Sequence, residues 1–156
     1  MNTTVYNTPF CLIPKELFNE EKKWDYLGLF SLKPVPEFIG KEEMDSYFLI
    51  YPTQTAEAST HIVSFMYKNI KEITPELPDV VCVNVYEDKL FLLVLKAGKI
   101  EYAGFHYFTV KEDVVYHIAN VTQQFYEDNS QPKYYYLQLI PEQLRLLCNY
   151  FEMKKL

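Results

Sequence analysis

Glycine is scarce in this sequence. Four occur in 156 residues, at positions 28, 40, 98 and 104, each isolated from the others. Without a glycine run there is no loop whose bare backbone N–H groups can close on a phosphate, which excludes the Gly-rich nucleotide loops. Cysteine is equally thin. Cys11, Cys82 and Cys148 lie far apart, with no CxxC or Cys/His spacing, so neither a zinc site nor a disulfide framework is expected. Each sits in an apolar run, and buried free thiols in a reducing cytoplasm are the expectation. Basic residues are outnumbered: 15 Lys and Arg face 21 Asp and Glu, a net charge of −6 with no basic cluster. Such a chain makes a poor polyanion binder, so nucleic acid and anionic membrane are not expected partners. Long apolar runs are missing too. The purest stretch, 91–95, falls far short of the roughly 20 residues of a membrane span. The start, 1–10, has neither a basic n-region nor an apolar h-region, so no secretory signal is visible and a soluble, cytoplasmic protein is expected.

Aromatic residues are abundant, with 14 Tyr and 11 Phe in a chain that is 49% hydrophobic. That content excludes general disorder. The length suits one domain or two small halves, and buries enough surface to need no metal or disulfide staple.

Along the chain, 10–13 reads as a short strand, and Pro14 opens a helical stretch through Glu16, Leu17, Phe18 and Trp24 toward Gly28. Residues 29–40, interrupted by Pro34 and Pro36, read as strand fragments and loop. Residues 47–51 form an aromatic and β-branched strand ended by Pro52. A helix is expected over 56–73, with Ile62, Phe65, Met66, Ile70 and Ile73 recurring at helical spacing and Thr74-Pro75 stopping it. The prolines of 75–78 mark the best boundary, dividing the chain into halves 1–76 and 77–156. The apolar segments 80–86, 90–96 and 100–108 are separated by Glu87-Asp88-Lys89 and Ala97-Gly98-Lys99, connections that can join only antiparallel neighbours. Thr109-Val110-Lys111-Glu112 reads as a capping box, with the Thr109 hydroxyl and Glu112 as its two arms. The helix it opens runs to about 127 and presents Val114, Val115, Ile118, Val121, Thr122 and Phe125 to one side. A polar turn at 128–132, a strand at 134–140 and a helix opened by Pro141 complete the order β-β-β-α-β-α. A meander followed by α-β-α resembles the opening of the ribonuclease H-like fold, the unit that actin-like ATPases duplicate; it puts the fourth strand parallel beside the first.

Two phrases carry a more specific resemblance. Phe10-Cys11-Leu12-Ile13-Pro14-Lys15-Glu16-Leu17-Phe18 and the block from Gly104 through Phe108-Thr109-Val110-Lys111-Glu112-Asp113 to Tyr116 and Ile118 resemble passages of domain-of-unknown-function family 3822. That is an uncharacterised group of bacterial proteins in the actin-like ATPase superfamily. The resemblance implies a mixed α/β, ribonuclease H-like second half preceded by a smaller partial α/β half. Members are usually longer, so this chain is expected to lack a first meander and to stop before the last strand of its second half.

The chemistry that such a fold carries can be tested on the residues. Actin-like ATPases grip phosphate with an Asp-x-Gly turn after a first strand; here the matching phrase is Asn84-Val85-Tyr86-Glu87-Asp88, with no glycine and two carboxylates that repel phosphate. Two-metal nuclease chemistry needs carboxylates on the first strand, the helix and the fourth strand. The sequence offers Asn84, then Glu112 or Asp113, then Gln138, one acidic position in place of three. His106 and His117 flank the strand-to-helix corner without an HExxH pattern, His61 reads as an edge residue of its helix, and no G-x-S-x-G elbow exists. No metal, no cofactor and no catalytic residue is therefore expected. In the strand Tyr134-Tyr135-Tyr136, the outer two share one face and the middle one takes the other, so core packing is the first reading and a tyrosine-rich protein-binding interface the alternative. The expected function is a non-catalytic scaffold or protein-interaction module, with a protein partner or self-association. The alternative is a nucleotide- or small-molecule-binding domain completed by a further segment or second subunit. Its site would lie beyond the strand ends near Asn84, Tyr86 and Ile140.

Overall fold

In a computed structural model that describes residues 3–28, 36–76, 79–127 and 131–156, the chain forms two units, Met1–Phe65 and Met66–Leu156. The first contains β1 (Thr3–Val5), β2 (Cys11–Pro14), α1 (Lys23–Gly28), β3 (Phe38–Met44), β4 (Tyr47–Thr53) and β5 (Ser59–His61). Strands β2, β4 and β3 form an antiparallel sheet in that order, and β1 pairs with β5 in parallel. The β3–β4 hairpin turns at Asp45-Ser46, with Asp45 at φ 54, a left-handed conformation that Asp tolerates. Pro52 does not end β4, contrary to expectation. The β2 pairing reaches only Ile50, so at Pro52 the strand has a neighbour on one side and the missing N–H leaves no gap.

The continuous helix expected after Pro14 is instead two 3-10 turns, Lys15–Leu17 and Glu20–Lys22, before the short α1. Phe18 is extended, its ring tilted against Phe48 at 4.8 Å, and the Asn19 side chain accepts the Glu21 N–H. That local bond competes with helix continuation. Glycine matters at position 40, which faces Tyr51 across the hairpin; a Cβ there would collide with the Tyr51 ring. Gly40→Ala should cost about 1–3 kcal/mol in denaturant unfolding, because the buried ring has nowhere to go. Gly104→Ala meets the half-exposed Tyr102 ring, which can swing away, and should cost less. Equal costs would contradict this packing.

Helix α2 (Ile62–Ile73) spans the division between the units, which falls at Phe65 and Met66 inside it. It starts six residues later than 56, because 59–61 are drawn into β5 by pairing with β1. Its buried stripe is Ile62, Val63, Met66, Tyr67 and Ile70, while Phe65 and Ile73 are exposed. The i, i+4 row is as read; the residues that widen it lie on its other flank. Thr74 ends the helix by bonding Ile70 O through both its N–H and its hydroxyl.

The second unit is built on β6 (Val80–Tyr86), β7 (Lys89–Lys96), β8 (Lys99–Tyr107), α3 (Lys111–Phe125), β9 (Lys133–Tyr136), α4 (Pro141–Leu147) and β10 (Met153–Lys155). The sheet order is β10-β9-β6-β7-β8, with the meander antiparallel and β9 parallel beside β6. Strand β10, parallel to β9, corrects the expectation that the chain stops before a last strand. One face of the sheet (Val81, Val83, Val85, Leu90, Leu92, Val94) packs with Val114, Ile118 and Val121 of α3 and Leu147 of α4. Tyr134 and Tyr136 pack on this face, and Tyr135 takes the other. Portions of the expected loop at 29–40, boundary at 75–78 and turn at 128–132 lie outside the described residues.

Candidate functional site

Strand β6 alternates strictly: Val81, Val83 and Val85 face α3 while Val80, Cys82 and Asn84 face away, and apart from the lightly exposed Val85 all are fully buried. Asn84 is an amide in the middle of this run, and neither its Nδ2 nor its Oδ1 has a hydrogen-bond partner. Two residues on, Tyr86 pairs with Lys89 and closes a two-residue turn, Glu87-Asp88, with Glu87 at φ 53. The turn is locked from outside by the Phe108 N–H, which bonds Asp88 O at 3.0 Å. The backbone beyond β9 stays beside β6, since Leu137 N–H reaches Val83 O and Val85 N–H reaches Gln138 O. Ile140 then caps α4, its N–H bonding Gln143 Oε1 at 3.3 Å. Tyr86 and Ile140 thus come to the surface at one end of the sheet, and Asn84 lies sealed beneath it.

The capping box of α3 is assembled differently from expectation. Asp113 Oδ2 accepts from both Thr109 N–H (3.0 Å) and Val110 N–H (3.2 Å), and the N-cap is Val110. Those two bonds, with a smaller contribution from His117, hold the Asp113 carboxyl below its usual range. Glu112 takes no part in the cap. Asp113 can reach back because it stands at the third helical position counted from Val110, one residue later than Thr109 would place it.

The histidines differ most from their sequence reading. His61 is fully buried, not an edge residue. Its ring lies 4.9 Å from both Phe10 and Tyr51, its Nδ1 accepts the Val63 N–H, and its Nε2 therefore donates to Asn7 O at 2.9 Å. Its own N–H bonds Glu42 Oε2 at 2.6 Å. Burial pushes its pKa down to about 4, against a small opposing effect of the Asn7 bond. His106 and His117 stack at 4.4 Å, and His106 Nε2 meets Tyr102 Oη at 3.1 Å. Burial, and then the neighbouring His117, lower the His106 pKa. Among the described residues, no group of three or more His, Cys, Asp or Glu is arranged to hold a metal, and no helix is long and apolar enough to cross a membrane. Cys82 is buried, Cys11 half-buried with its thiol pushed up to about 11 by burial, and Cys148 exposed, which corrects the expectation of three buried thiols. Cys148 follows the last residue of α4 and faces out, away from the stripe that Leu147 buries.

Among the described residues, each unit carries a depression open to solvent. In the second unit, about 440 Å³ lies between the end of α3 and β9, lined by Thr122, Gln131, Tyr134 and Phe151. In the first, about 470 Å³ lies beside the β3–β4 hairpin, lined by Trp24, Phe38, Tyr51 and Ser59. Neither is lined by Asn84, Tyr86 or Ile140. The second of these had no signal in the sequence, because it depends on which hairpin residues face each other.

A solved structure from Bacteroides thetaiotaomicron, described as a protein with actin-like ATPase fold and unknown function, superposes with a TM-score of 0.78. The match covers 99% of this chain and 67% of that one, at 17% sequence identity. The chain has an actin-like ATPase fold. No family model matches the sequence. No curated protein matches it either. In this fold the β6–β7 turn carries Tyr86, Glu87 and Asp88 on a closed two-residue hairpin.

Proposed function

We propose that this chain is a non-catalytic scaffold or protein-interaction module, a cytoplasmic bacterial protein of the family 3822 type whose actin-like fold has lost its nucleotide loops. In this reading 77–156 is the ribonuclease H-like half and 1–76 the smaller partial half. The observation that carries it is the β6–β7 turn. Phosphate needs several converging backbone N–H groups and no side chains in the way. Here Tyr86, Glu87 and Asp88 carry side chains where an Asp-x-Gly turn would be bare, and the two carboxylates add repulsion. The rim supports an interaction role. Tyr86, Lys89 and Tyr107 lie in one row across β6, β7 and β8, and Tyr107, Val110 and Tyr116 are all more than half exposed at the same corner. Tyrosine-rich patches of this kind are common at protein interfaces.

The alternative, a nucleotide- or small-molecule-binding domain completed by a second subunit or further segment, draws support from the unpaired amide of Asn84. A thermal melt with Mg-ATP separates the two. A ligand at 100 times its Kd stabilises by about 2.7 kcal/mol and raises the Tm visibly. The scaffold reading expects no shift, and a concentration-dependent rise would overturn it.

A further inference from the structure

The geometry points to the depression of the first unit as a binding site for a small organic cation, an alkylammonium compound such as a choline-like molecule. This stands on different residues from the reading above and does not depend on it. Three aromatic rings line the cavity. Trp24 and Phe38 are the exposed ones, at 41% and 39%, and Tyr51 is nearly inaccessible. The Tyr51 hydroxyl is fixed by Ser59, donating to its carbonyl at 3.1 Å, so that ring is held still. Ring faces carry negative quadrupole charge and attract a cation laid against them, Trp most strongly.

Charge in the cavity selects the same class. Among the described lining residues, Lys23 and Lys41 both pair with Glu20, at 3.1 Å and 2.9 Å. Those pairings hold the Glu20 carboxyl below its usual range. Glu37 and Glu57 also line the cavity, and no salt bridge engages either among the described residues. Two carboxylates thus remain at the cavity to meet a cation, in a chain of net charge −6 that draws cations toward it. The unit already binds one ammonium in this manner: Lys41 Nζ sits 5.0 Å from the ring centres of both Phe18 and Phe48 while bonding Glu20. A volume of about 470 Å³ suits a small molecule.

Trp24 is the single tryptophan of the chain, so its emission reports on this cavity and nothing else. Choline chloride is titrated against Trp24 fluorescence, with sodium chloride at equal ionic strength and the neutral isostere carrying carbon in place of nitrogen as controls. The expected result is a saturable change with choline, accompanied by a rise in Tm, and neither with the controls. Glu57→Gln, at an exposed position that folding does not depend on, and Phe38→Ala should each weaken choline about tenfold. The proposal is overturned if choline gives no saturable change beyond the salt control, if the neutral isostere does as well, or if both variants bind as the parent does.

Discussion

Acidification from about pH 7 to about pH 4 is expected to cost the first unit about 3 kcal/mol through His61 alone. The folded pKa is about 4 and the ordinary value 6.5. Each unit of difference corresponds to ~1.36 kcal/mol. The sign follows from proton binding. Between those values the unfolded chain is protonated and the folded one is not, so unfolding takes up a proton and stability falls as pH falls. The contribution is complete above about 6.5, is lost progressively below it, and levels off below about 4. Structurally, the protonated ring would place a charge between Phe10 and Tyr51 and would turn the Nδ1 that accepts from Val63 into a donor. Denaturant unfolding across this range measures it, with His61→Gln as the reference that does not titrate. A parent whose pH slope equals that of His61→Gln would contradict the assignment.

Asn84→Val is expected to raise stability by about 1–3 kcal/mol. A buried amide with no partner at either atom has lost its water and gained nothing in return, and that cost is recovered when a valine takes its place. Valine is also the residue on either side, and suits a central strand. A stability loss would mean that the amide has a partner in solution, such as an ordered water or a ligand. The same substitution leaves the β6–β7 turn intact, so it isolates the amide from the hairpin that follows.

The second unit was more legible in the sequence than the first, for reasons that particular residues show. The meander has uninterrupted apolar strands and tight polar turns at Glu87-Asp88 and Ala97-Gly98, so its order can be read directly. The α3 stripe of Val114, Ile118 and Val121 likewise has a clear helical period. Strand β10 was invisible because Met153-Lys154-Lys155 has no alternation, and its place depends on pairing with β9. In the first unit, the strand β5 hides at the head of a helical pattern, since Ser59-Thr60-His61 is fixed by β1 and by nothing local. The burial of His61 depends on Asn7, Phe10, Glu42 and Tyr51, which are scattered over the β1–β2 connection, β3 and β4. At the candidate site, the absence of glycine from Tyr86-Glu87-Asp88 was legible and the isolation of the Asn84 amide was not. An asparagine's partners lie on other strands and helices, so its own sequence neighbours say nothing of them.

The closed β6–β7 turn is the centre of the functional reading, and its own amides test it most directly. In a labelled sample, the N–H resonances of Tyr86, Glu87, Asp88 and Lys89 are followed while Mg-ATP is added. A turn with no room for phosphate predicts that these four signals stay where they are, apart from the small uniform drift that added salt produces across all exposed amides. Saturable shifts confined to these residues, with Asn84 moving alongside them, would show a nucleotide seated at the turn and would contradict the account.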